Sequence, residues 1–312
     1  MKCLLCYKPI STEEIDYHAK CITKVFGLKR IPDFDIDEKK LVDYAKKILG
    51  ANKGLTGVQP KLSLWIEETK KHTRLTIVDD KSNYIIKPQS EHFLSLPENE
   101  DLCMHLASAF GIEVAQHGLI RLKGGNLAYI TKRFDRNGEK KIACEDLCQL
   151  SESLTEYKYR GSYEKTGKII SQYSSQPGLD VLHYFQLILF CFITGNADMH
   201  LKNLSMMEKN DGTFCLSPAY DLVCTQLVIK NESEQMGLTL NGKKNKISKE
   251  DFDLLGLNLQ LTEKQIENCY QNFVDKWDTI QWWVDHSFLP TVRKAKLKEL
   301  ISKRIELICQ SR

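Results

Sequence analysis

The stretch that decides the fold is Gly195–Asn203, with the sequence GNADMHLKN. It follows directly on a strongly apolar segment, Leu179–Ile193, whose length and composition predict a buried helix. Placing an Asp, a His, a Lys and two Asn side chains beside a core costs several kcal/mol unless each side chain has a hydrogen-bonding partner or a ligand. The pattern therefore predicts a functional loop at the end of a core helix.

Length and composition indicate a globular chain with a sizeable core. The protein has 312 residues, of which 42% are hydrophobic and 27% charged, with 17 Gly and 8 Pro. These values exclude collagen-like, low-complexity and wholly disordered proteins. The formal charge of +3 is too small to predict direct nucleic-acid binding. The longest apolar stretch, Val181–Thr194, is too short to cross a bilayer, and the N-terminus lacks a secretory signal. We therefore expect a cytoplasmic protein with no membrane partner.

The N-terminal cysteines have the spacing of metal ligands. Cys3-x-x-Cys6 and His18-x-x-Cys21 form two closely spaced pairs, which is the arrangement of a small zinc ribbon or knuckle. A Zn²⁺ ion bound by all four residues would be structural, because no position is left for water. The alternative is a short module with buried thiols and an incidental histidine.

The remaining sequence changes from strand-like to helical patterns near residue 131. Short β-like runs lie at Leu62–Ile66, Arg74–Val78, Tyr84–Lys87, Val114–Leu122 and Leu127–Thr131. Helices are predicted at Asp37–Leu49 and Glu98–Phe110, and after Thr131 the pattern is helical apart from strands near Leu204–Met207 and Phe214–Leu216. We predict an α+β protein with a Cys/His segment at 1–27, a sheet-rich N-lobe at 28–131 and a mainly helical C-lobe at 132–312.

Two polar side chains of the Gly195–Asn203 loop have a chemically informative spacing. Asp198 and Asn203 stand five residues apart, as do the catalytic Asp and the magnesium-binding Asn of a protein-kinase catalytic loop. A carboxylate can accept a hydroxyl proton, and an amide oxygen can bind Mg²⁺. Downstream, Asp221 offers a further hard oxygen ligand, although an Asp after a strand and a Pro turn is also typical of a turn or a helix cap.

Upstream, two features are compatible with phosphate binding. Lys87 ends an apolar strand, where a lysine is costly unless it meets an anion such as a nucleotide phosphate, although exposed lysines are common at strand ends. Glu100 is its candidate partner by analogy with kinases, or else it is exposed in the first turn of a helix. The glycines Gly54 and Gly57 permit close approach of phosphates but fit any tight turn.

Taken in order, six motifs resemble the HipA family of serine/threonine kinases, the toxin halves of bacterial toxin–antitoxin systems. They are TGVQPK at 56–61, IIKP at 85–88, TKRFDR at 131–136, EDLCQ at 145–149, NADMHLKN at 196–203 and PAYDL at 218–222. The resemblance implies a two-lobed protein-kinase-like fold and transfer of the γ-phosphate of ATP, with Mg²⁺, to a hydroxyl of a protein substrate. It also implies a small antitoxin partner and a target in translation, such as an aminoacyl-tRNA synthetase.

The resemblance further assigns roles to individual residues. Asp198 would be the catalytic base, and Asn203 and Asp221 would bind Mg²⁺. The residues that would contact ATP are Thr56, Gly57, Val58, Gln59, Pro60 and Lys61 in the phosphate loop, Lys87 at the α/β-phosphates, Lys132, Arg133 and Phe134 in the adenine-side hinge, and His200, Leu201, Lys202, Asn203, Tyr220 and Asp221 beside the nucleotide.

The chain departs from the family pattern in two places. The serine that family members often autophosphorylate is replaced by Gly54, with Thr56 the nearest hydroxyl, so the resemblance does not extend to self-inactivation. Full-length members also begin with an additional subdomain. We therefore expect the short form of the family, in which that subdomain is encoded separately and acts in trans.

Two other kinds of protein remain as alternatives. One is a catalytically idle pseudokinase or zinc-bearing regulatory module, against which the presence of Lys87, Asp198, Asn203 and Asp221 argues. The other is a nucleic-acid binder that uses the Cys/His segment and the basic run at 293–298. That run alternates with apolar positions, which is more typical of the solvated face of a helix.

Overall fold

The structure is a computed structural model that describes residues 1–11, 14–34, 39–41, 43–44, 61–69, 72–78 and 81–309. The chain divides into two compact units. The first comprises Met1–Asp101, Ala115–Lys141 and His286–Phe288, and the second comprises Leu102–Val114, Ile142–Asp285 and Leu289–Arg312. The first unit contains the Cys/His segment together with a sheet, and most helices lie in the second. The predicted boundaries at residues 27 and 131 stay predictions.

A five-stranded antiparallel sheet forms the centre of the first unit. Its strands are β1 (Leu62–Glu68), β2 (Thr73–Ile77), β3 (Tyr84–Lys87), β4 (His117–Arg121) and β5 (Leu127–Lys132), in the order β2-β1-β3-β5-β4. The register pairs Leu62 with Ile86 and Ile86 with Ile130, and all three side chains are buried in one core. This is the alternation of buried and outward positions that the strand-like runs predict. Each strand coincides with a predicted run.

The Cys/His segment packs against this sheet. Its helix α1 (Ala19–Phe26) buries Ile22, Val25 and Phe26 in the core of the sheet and ends at Gly27, whose φ of 72° is left-handed. Residues 39–41 and 43–44 are helical, and the rest of the predicted helix Asp37–Leu49 lies outside the described residues. A short hairpin, β6 (Arg136–Asn137) and β7 (Lys140–Lys141), completes the unit.

Helix α2 (Leu96–Ala109), predicted as Glu98–Phe110, has its first turns in the first unit. Glu100 and Asp101 on these turns are fully buried, so the alternative of an exposed Glu100 is wrong. Two buried carboxylates on one helix require partners nearby, and those partners are described below.

The second unit is mainly helical around a small sheet. The antiparallel sheet has the order β10-β9-β8, with β8 at Cys144–Asp146, β9 at Ser205–Glu208 and β10 at Phe214–Leu216. The helices are α3 (Leu147–Leu150), α4 (Tyr163–Tyr173), α5 (Pro177–Thr194), α6 (Thr225–Val228), α7 (Lys249–Asn258), α8 (Glu263–Asp275), α9 (Trp277–His286) and α10 (Thr291–Cys309). The observed positions of α5, β9 and β10 confirm the predicted helix and strands.

Helix α5 is the core helix that the apolar segment predicts. Every residue from Leu187 to Thr194 is buried. By length and apolar composition alone, α5 is the one helix among the described residues that could cross a membrane. However, 67% of its 18-residue span is buried inside the protein. Its apolar composition is therefore accounted for by its place in the core of the second unit.

Candidate active site

The loop after α5 is fixed by its own asparagine side chains. The helix ends at Gly195, whose φ of 77° is left-handed and favours glycine. Asn196 then accepts a hydrogen bond from the Asp198 backbone N–H through Oδ1 (2.9 Å), and Asn203 donates through Nδ2 to the Asp198 carbonyl (3.0 Å). Both amides are buried. Asp198 is thus held from both sides by two of the polar residues that the sequence places in this loop.

Side chains from other elements brace the same loop. The Thr225 hydroxyl accepts from the Ala197 N–H and donates to the Gly195 carbonyl, both at 3.0 Å. The Tyr163 hydroxyl donates to the Met199 carbonyl (2.9 Å). Gly237 lies so close that a Cβ atom there would stand 2.6 Å from the Met199 carbonyl oxygen and 2.9 Å from its nitrogen. Because that contact is with backbone, position 237 accepts no side chain without moving the loop.

The carboxylate of Asp198 accepts a hydrogen bond from the hydroxyl of Tyr159. Tyr159 follows a 3₁₀ turn, Thr155–Tyr157, and its ring stands edge-on to His200 with the ring centroids 4.9 Å apart. Burial and then the charge of Asp198 raise the pKa of Tyr159, so its hydroxyl stays a donor. A cavity of about 250 Å³ adjoins this pair, lined by Tyr159, Ala197, Asp198, Thr225, Ile229, Glu232, Glu234 and Lys244.

Asn203 and Asp221 carry oxygen atoms of the kind that the predicted magnesium site needs. Because the Asn203 nitrogen is bound to the Asp198 carbonyl, Oδ1 is the atom through which Asn203 can coordinate a cation. Asp221 adopts a left-handed φ of 59°, which Asp tolerates better than most residues. Its negative charge acts on both Tyr159 and His200. An amide and a carboxylate oxygen form the hard donor set that Mg²⁺ requires from a protein, so these residues fit the predicted ion.

Tyr220 anchors the turn that carries Asp221. Its hydroxyl donates to the Lys202 carbonyl (2.8 Å) and receives a hydrogen bond from Ser205 (2.7 Å). The neighbouring N–H of Ala219 donates to the Glu113 carbonyl (2.8 Å). The two Tyr220 bonds tie the turn that carries Asp221 to the end of the Gly195–Asn203 loop.

The remaining loop residues are buried or paired within the protein. His200 is 4% exposed, and burial, assisted by the charge of Lys158, lowers its pKa to about 4. It is therefore neutral at physiological pH, and within the described part of the chain its buried Nδ1 has no hydrogen-bonding partner. Leu201 is buried. The Lys202 ammonium lies 2.6 Å from the carboxylate of Asp146, the N-terminal cap of α3.

In the first unit, Lys87 forms a buried ion pair with Glu100. The Lys87 Nζ atom lies 2.7 Å from Glu100 Oε1, and the side chains are 10% and 1% exposed. The ammonium also lies 5.6 Å from the centroid of the Tyr129 ring. The pair that the kinase analogy predicts is present, because Lys87 ends β3 and Glu100 is on the first turns of α2.

Of the other residues of the first unit that were assigned to the nucleotide, the structure describes Lys61, Lys132, Arg133 and Phe134. Thr56, Gly57, Val58, Gln59 and Pro60 lie outside the described residues, and Lys61 is exposed just before β1. Lys132 ends β5, and its N–H donates to the Gln116 carbonyl (2.7 Å). The Arg133 guanidinium binds Asp135 (2.6 and 2.9 Å) and Ser82 (3.0 Å), and Phe134 is half-buried. The nucleotide contacts of these residues stay predictions.

Sequence reasoning missed the residues that reach the loop from distant segments. Tyr159, Tyr163 and Gly237 each contact the loop, yet none belongs to a recognisable motif. The one signal in the sequence is the run of aromatic and basic residues at 157–160, in a segment without clear helical or strand periodicity. Such a run indicates a functional loop only when its neighbours in space are known.

The fold is that of a two-lobed protein kinase. The toxin HipA of Shewanella oneidensis MR-1, solved with HipB and its operator DNA, matches with a TM-score of 0.70 and 22% identity, covering 90% of this chain and 73% of that one. The Helicobacter pylori proinflammatory kinase CtkA matches with a TM-score of 0.55 and 16% identity, covering 79% of this chain and 94% of that one. At such identities the likeness shows the fold alone, and it confirms the predicted kinase-like class.

Residues 54–280 match the family model of the HipA-like C-terminal domain. The chain therefore belongs to the HipA-like family, as its motifs predict. Y4dM of Sinorhizobium fredii, provisionally named a kinase, is 30% identical over 273 residues, covering 83% of this chain and 65% of that protein. The serine/threonine-protein kinase toxin HipA of Shewanella oneidensis is 28% identical over 194 residues, covering 55% and 43%. The matched regions thus span between 43% and 65% of the length of these curated relatives.

Proposed function

We propose that this protein is a serine/threonine kinase of the HipA type, which transfers the γ-phosphate of ATP to a hydroxyl of a protein substrate. The observation that carries the proposal is the geometry of the Gly195–Asn203 loop. Two buried amides fix the backbone of Asp198, and its carboxylate accepts a hydrogen bond from a hydroxyl group. A carboxylate in this arrangement is suited to accept the proton of an acceptor serine or threonine.

In the proposed reaction, the acceptor oxygen attacks the γ-phosphorus as its proton passes to Asp198. The bond between the γ-phosphorus and the β–γ bridging oxygen breaks, and ADP leaves. Lys87, oriented by Glu100, would hold the α/β-phosphates. Mg²⁺ bound by Asn203 and Asp221 would supply neutralisation of the phosphate charge. Catalysis of this kind is positioning and electrostatic stabilisation, so the rigidity of the loop is its central requirement.

The biological role follows from the family and is part of the proposal. HipA of Shewanella oneidensis is named a serine/threonine-protein kinase toxin, and its structure was solved with HipB and operator DNA. We infer that this chain acts in the cytoplasm as the toxin of a toxin–antitoxin system, restrained by a small antitoxin protein. A translation protein such as an aminoacyl-tRNA synthetase is the proposed substrate.

A catalytically idle binding module is the second candidate. The observation that favours it is the Tyr159–Asp198 hydrogen bond, because the carboxylate of the proposed base is already engaged by a residue of the chain itself. Such a module would bind nucleotide without transferring phosphate, and this property separates the two candidates.

The proposal is tested by transfer of radiolabelled γ-phosphate from ATP to proteins of a cell lysate. Wild type is compared with Asp198→Ala, and Asp211→Ala serves as a matched control because Asp211 is an exposed carboxylate of the same unit. We expect labelled proteins with wild type and with the control, and loss of labelling with Asp198→Ala. An identical labelling pattern with and without Asp198 would remove the kinase proposal.

A further inference from the structure

The proposed kinase chemistry leaves the Cys/His segment without a role, although its ligand atoms are gathered in one place. One potential ligand atom from each of Cys3, Cys6, His18 and Cys21 lies within 4.8 Å of all the others. Cys6 Sγ and Cys21 Sγ lie 3.3 and 3.8 Å from His18 Nδ1. Tetrahedral zinc, with Zn–S of about 2.3 Å and Zn–N of about 2.0–2.1 Å, separates sulfur from nitrogen by about 3.6 Å. The observed separations lie on either side of that value.

The histidine is oriented as a metal ligand. Its Nε2 lies 2.9 Å from the carbonyl oxygen of Pro9. A carbonyl oxygen can only accept, so Nε2 carries the proton and the lone pair of Nδ1 points towards the thiols. A second hydrogen bond that fixes the tautomer in this way is the usual accompaniment of a metal-bound histidine.

The backbone supports the same geometry. Cys3 and Cys6 lie in a tight turn closed by hydrogen bonds from the Tyr7 N–H to the Cys3 carbonyl (2.9 Å) and from the Cys3 N–H to the Lys8 carbonyl (2.9 Å). Tyr7 adopts a left-handed φ of 61°, which is uncommon for an aromatic residue. The His18 N–H also points to Cys3 Sγ (3.5 Å). The turn and the start of α1 thus present two pairs of ligands to one point.

We propose that Cys3, Cys6, His18 and Cys21 bind one Zn²⁺ ion, and that this ion fixes the segment that supports the helix of Glu100. Three thiolates and one imidazole are soft and borderline ligands, which favour zinc over magnesium or calcium. All four positions are filled by protein, so the ion is structural and not catalytic.

The Cys/His segment packs against β4, an edge strand of the five-stranded sheet. The Leu119 N–H of β4 donates to the Leu4 carbonyl (3.2 Å). Leu5 packs so closely on Gly118 that a Cβ atom there would lie 2.0 Å from its Cδ2. The segment thus covers part of the edge strand, so an ion that fixes the segment would also support the sheet of the first unit.

A hydrogen-bonded path leads from the turn of Cys3 and Cys6, here called the zinc turn, to α2. Tyr7 follows Cys6 in the sequence, and its hydroxyl donates to Asp101 Oδ2 (2.6 Å). Asp101 Oδ1 in turn lies 2.7 Å from His117 Nδ1 on β4. Asp101 adjoins Glu100, the partner of Lys87. The zinc turn therefore positions the residues that orient Lys87. The zinc site itself does not depend on the proposed kinase function, whereas its effect on ATP binding rests on that function.

The metal site is tested first without reference to activity. The full chain is purified under reducing conditions, and its zinc content is measured by elemental analysis for wild type, Cys6→Ser and His18→Ala. Cys309→Ser is the matched control, a half-buried thiol outside the cluster. We expect about one zinc per chain in wild type and control and nearly none in the two ligand variants. Wild type that contains no zinc and takes up none when zinc is supplied would overturn the proposal.

Cobalt substitution keeps the test decisive if the ligand variants fail to fold. Wild type is stripped with a chelator and titrated with Co²⁺, whose visible absorption bands report tetrahedral thiolate ligands. We expect saturation at about one Co²⁺ per chain and displacement of the bands by Zn²⁺. Bands of an octahedral ion, or a disulfide among the three cysteines that persists under reducing conditions, would contradict the site.

The link to Glu100 is tested separately with Tyr7→Phe, which keeps all four ligands and removes the hydroxyl that binds Asp101. We expect unchanged zinc content and a threefold to tenfold loss of ATP affinity, less than the full effect of a hydrogen bond to a charged group, because the hydroxyl acts on Lys87 only through Asp101 and Glu100. Zinc binding with unchanged ATP affinity in Tyr7→Phe would overturn the link. Failure of ATP to bind wild type would instead count against the proposed function and leave the zinc result intact.

Discussion

The hydroxyl of Tyr159 donates a hydrogen bond to the carboxylate of Asp198, so the position that a substrate hydroxyl would take on the proposed base is filled by the chain itself. Tyr159 is 41% exposed and belongs to a loop before α4. Such a side chain can leave its position at modest cost, because no core packing is lost. In the proposed reaction, a protein substrate would have to displace the Tyr159 hydroxyl before transfer.

Removing the Tyr159 hydroxyl is expected to strengthen binding of the protein substrate. Tyr159→Phe keeps the edge-on contact with His200 and removes the hydrogen bond to Asp198. We expect the KM for the protein substrate to fall roughly threefold to tenfold, with ATP affinity unchanged, since the competing bond to a charged group is partly exposed to water. The measurement is the initial rate of phosphate transfer against substrate concentration. A fall in kcat at constant KM would instead show that Tyr159 orients the base.

Glu100→Gln is expected to weaken ATP binding. The substitution leaves the buried Lys87 ammonium with a neutral partner, which orients it less strongly than a carboxylate at 2.7 Å. We expect ATP affinity to fall about tenfold and the free energy of unfolding to fall by about 1–3 kcal/mol. Calorimetric titration and chemical denaturation measure the two effects. Glu68→Gln, at an exposed position of β1, is the control, and equal ATP affinities for both variants would contradict the role of Glu100.

Gly237→Ala tests whether the position of the Gly195–Asn203 loop sets the rate of the proposed phosphate transfer. The added Cβ would stand 2.6 Å from the Met199 carbonyl oxygen, so the loop has to shift. We expect kcat to fall by about tenfold to a hundredfold, because displacements near 1 Å have that effect on positioned groups. Gly178→Ala, in the first turn of α5, adds a Cβ that meets nothing within 4 Å and should leave kcat unchanged. Equal rates for both variants would show that the loop is not rigidly placed.

His200 makes the stability of the second unit depend on pH. Burial, with the charge of Lys158, lowers its pKa to about 4, whereas an unfolded histidine titrates near about 6.5. Between these values the unfolded chain binds a proton that the folded chain does not, so stability is full above about pH 6.5 and is lost as the pH falls towards 4. We expect His200 to account for about 2 kcal/mol of the loss between pH 7.5 and pH 5. Between these pH values, the free energy of unfolding of His200→Gln, measured with denaturant, should change by about 2 kcal/mol less than that of wild type. An equal change in both proteins would refute this assignment.

Secondary-structure elements were predicted correctly where neighbouring residues carry a clear hydrophobic pattern. The strands of the first sheet and the core helix α5 follow from alternation and from an unbroken apolar run, and each was placed to within a few residues. The partnership of Lys87 and Glu100 needed the kinase analogy, because nothing local distinguishes a paired glutamate from an exposed one in the first turn of a helix.

Other features of the site depend on tertiary contacts that no local pattern encodes. Tyr159 and Gly237 lie about forty residues before and after the residues that they contact, and their contacts arise only when their segments pack against the Gly195–Asn203 loop. The left-handed φ of Asp221 is likewise not evident from the motif PAYDL. Residues of these kinds are found from the structure alone, since tertiary packing sets them.

Asp198 is the proposed base of a phosphoryl transfer, and a comparison of Asp198→Asn with wild type, in both nucleotide binding and single-turnover transfer, tests this role. Asparagine keeps the size of the side chain and an oxygen that can accept from Tyr159, but it cannot take up the proton. We predict that the variant binds ATP with Mg²⁺ about as tightly as wild type and transfers phosphate at least about a hundredfold more slowly. Transfer at the wild-type rate by Asp198→Asn would contradict it.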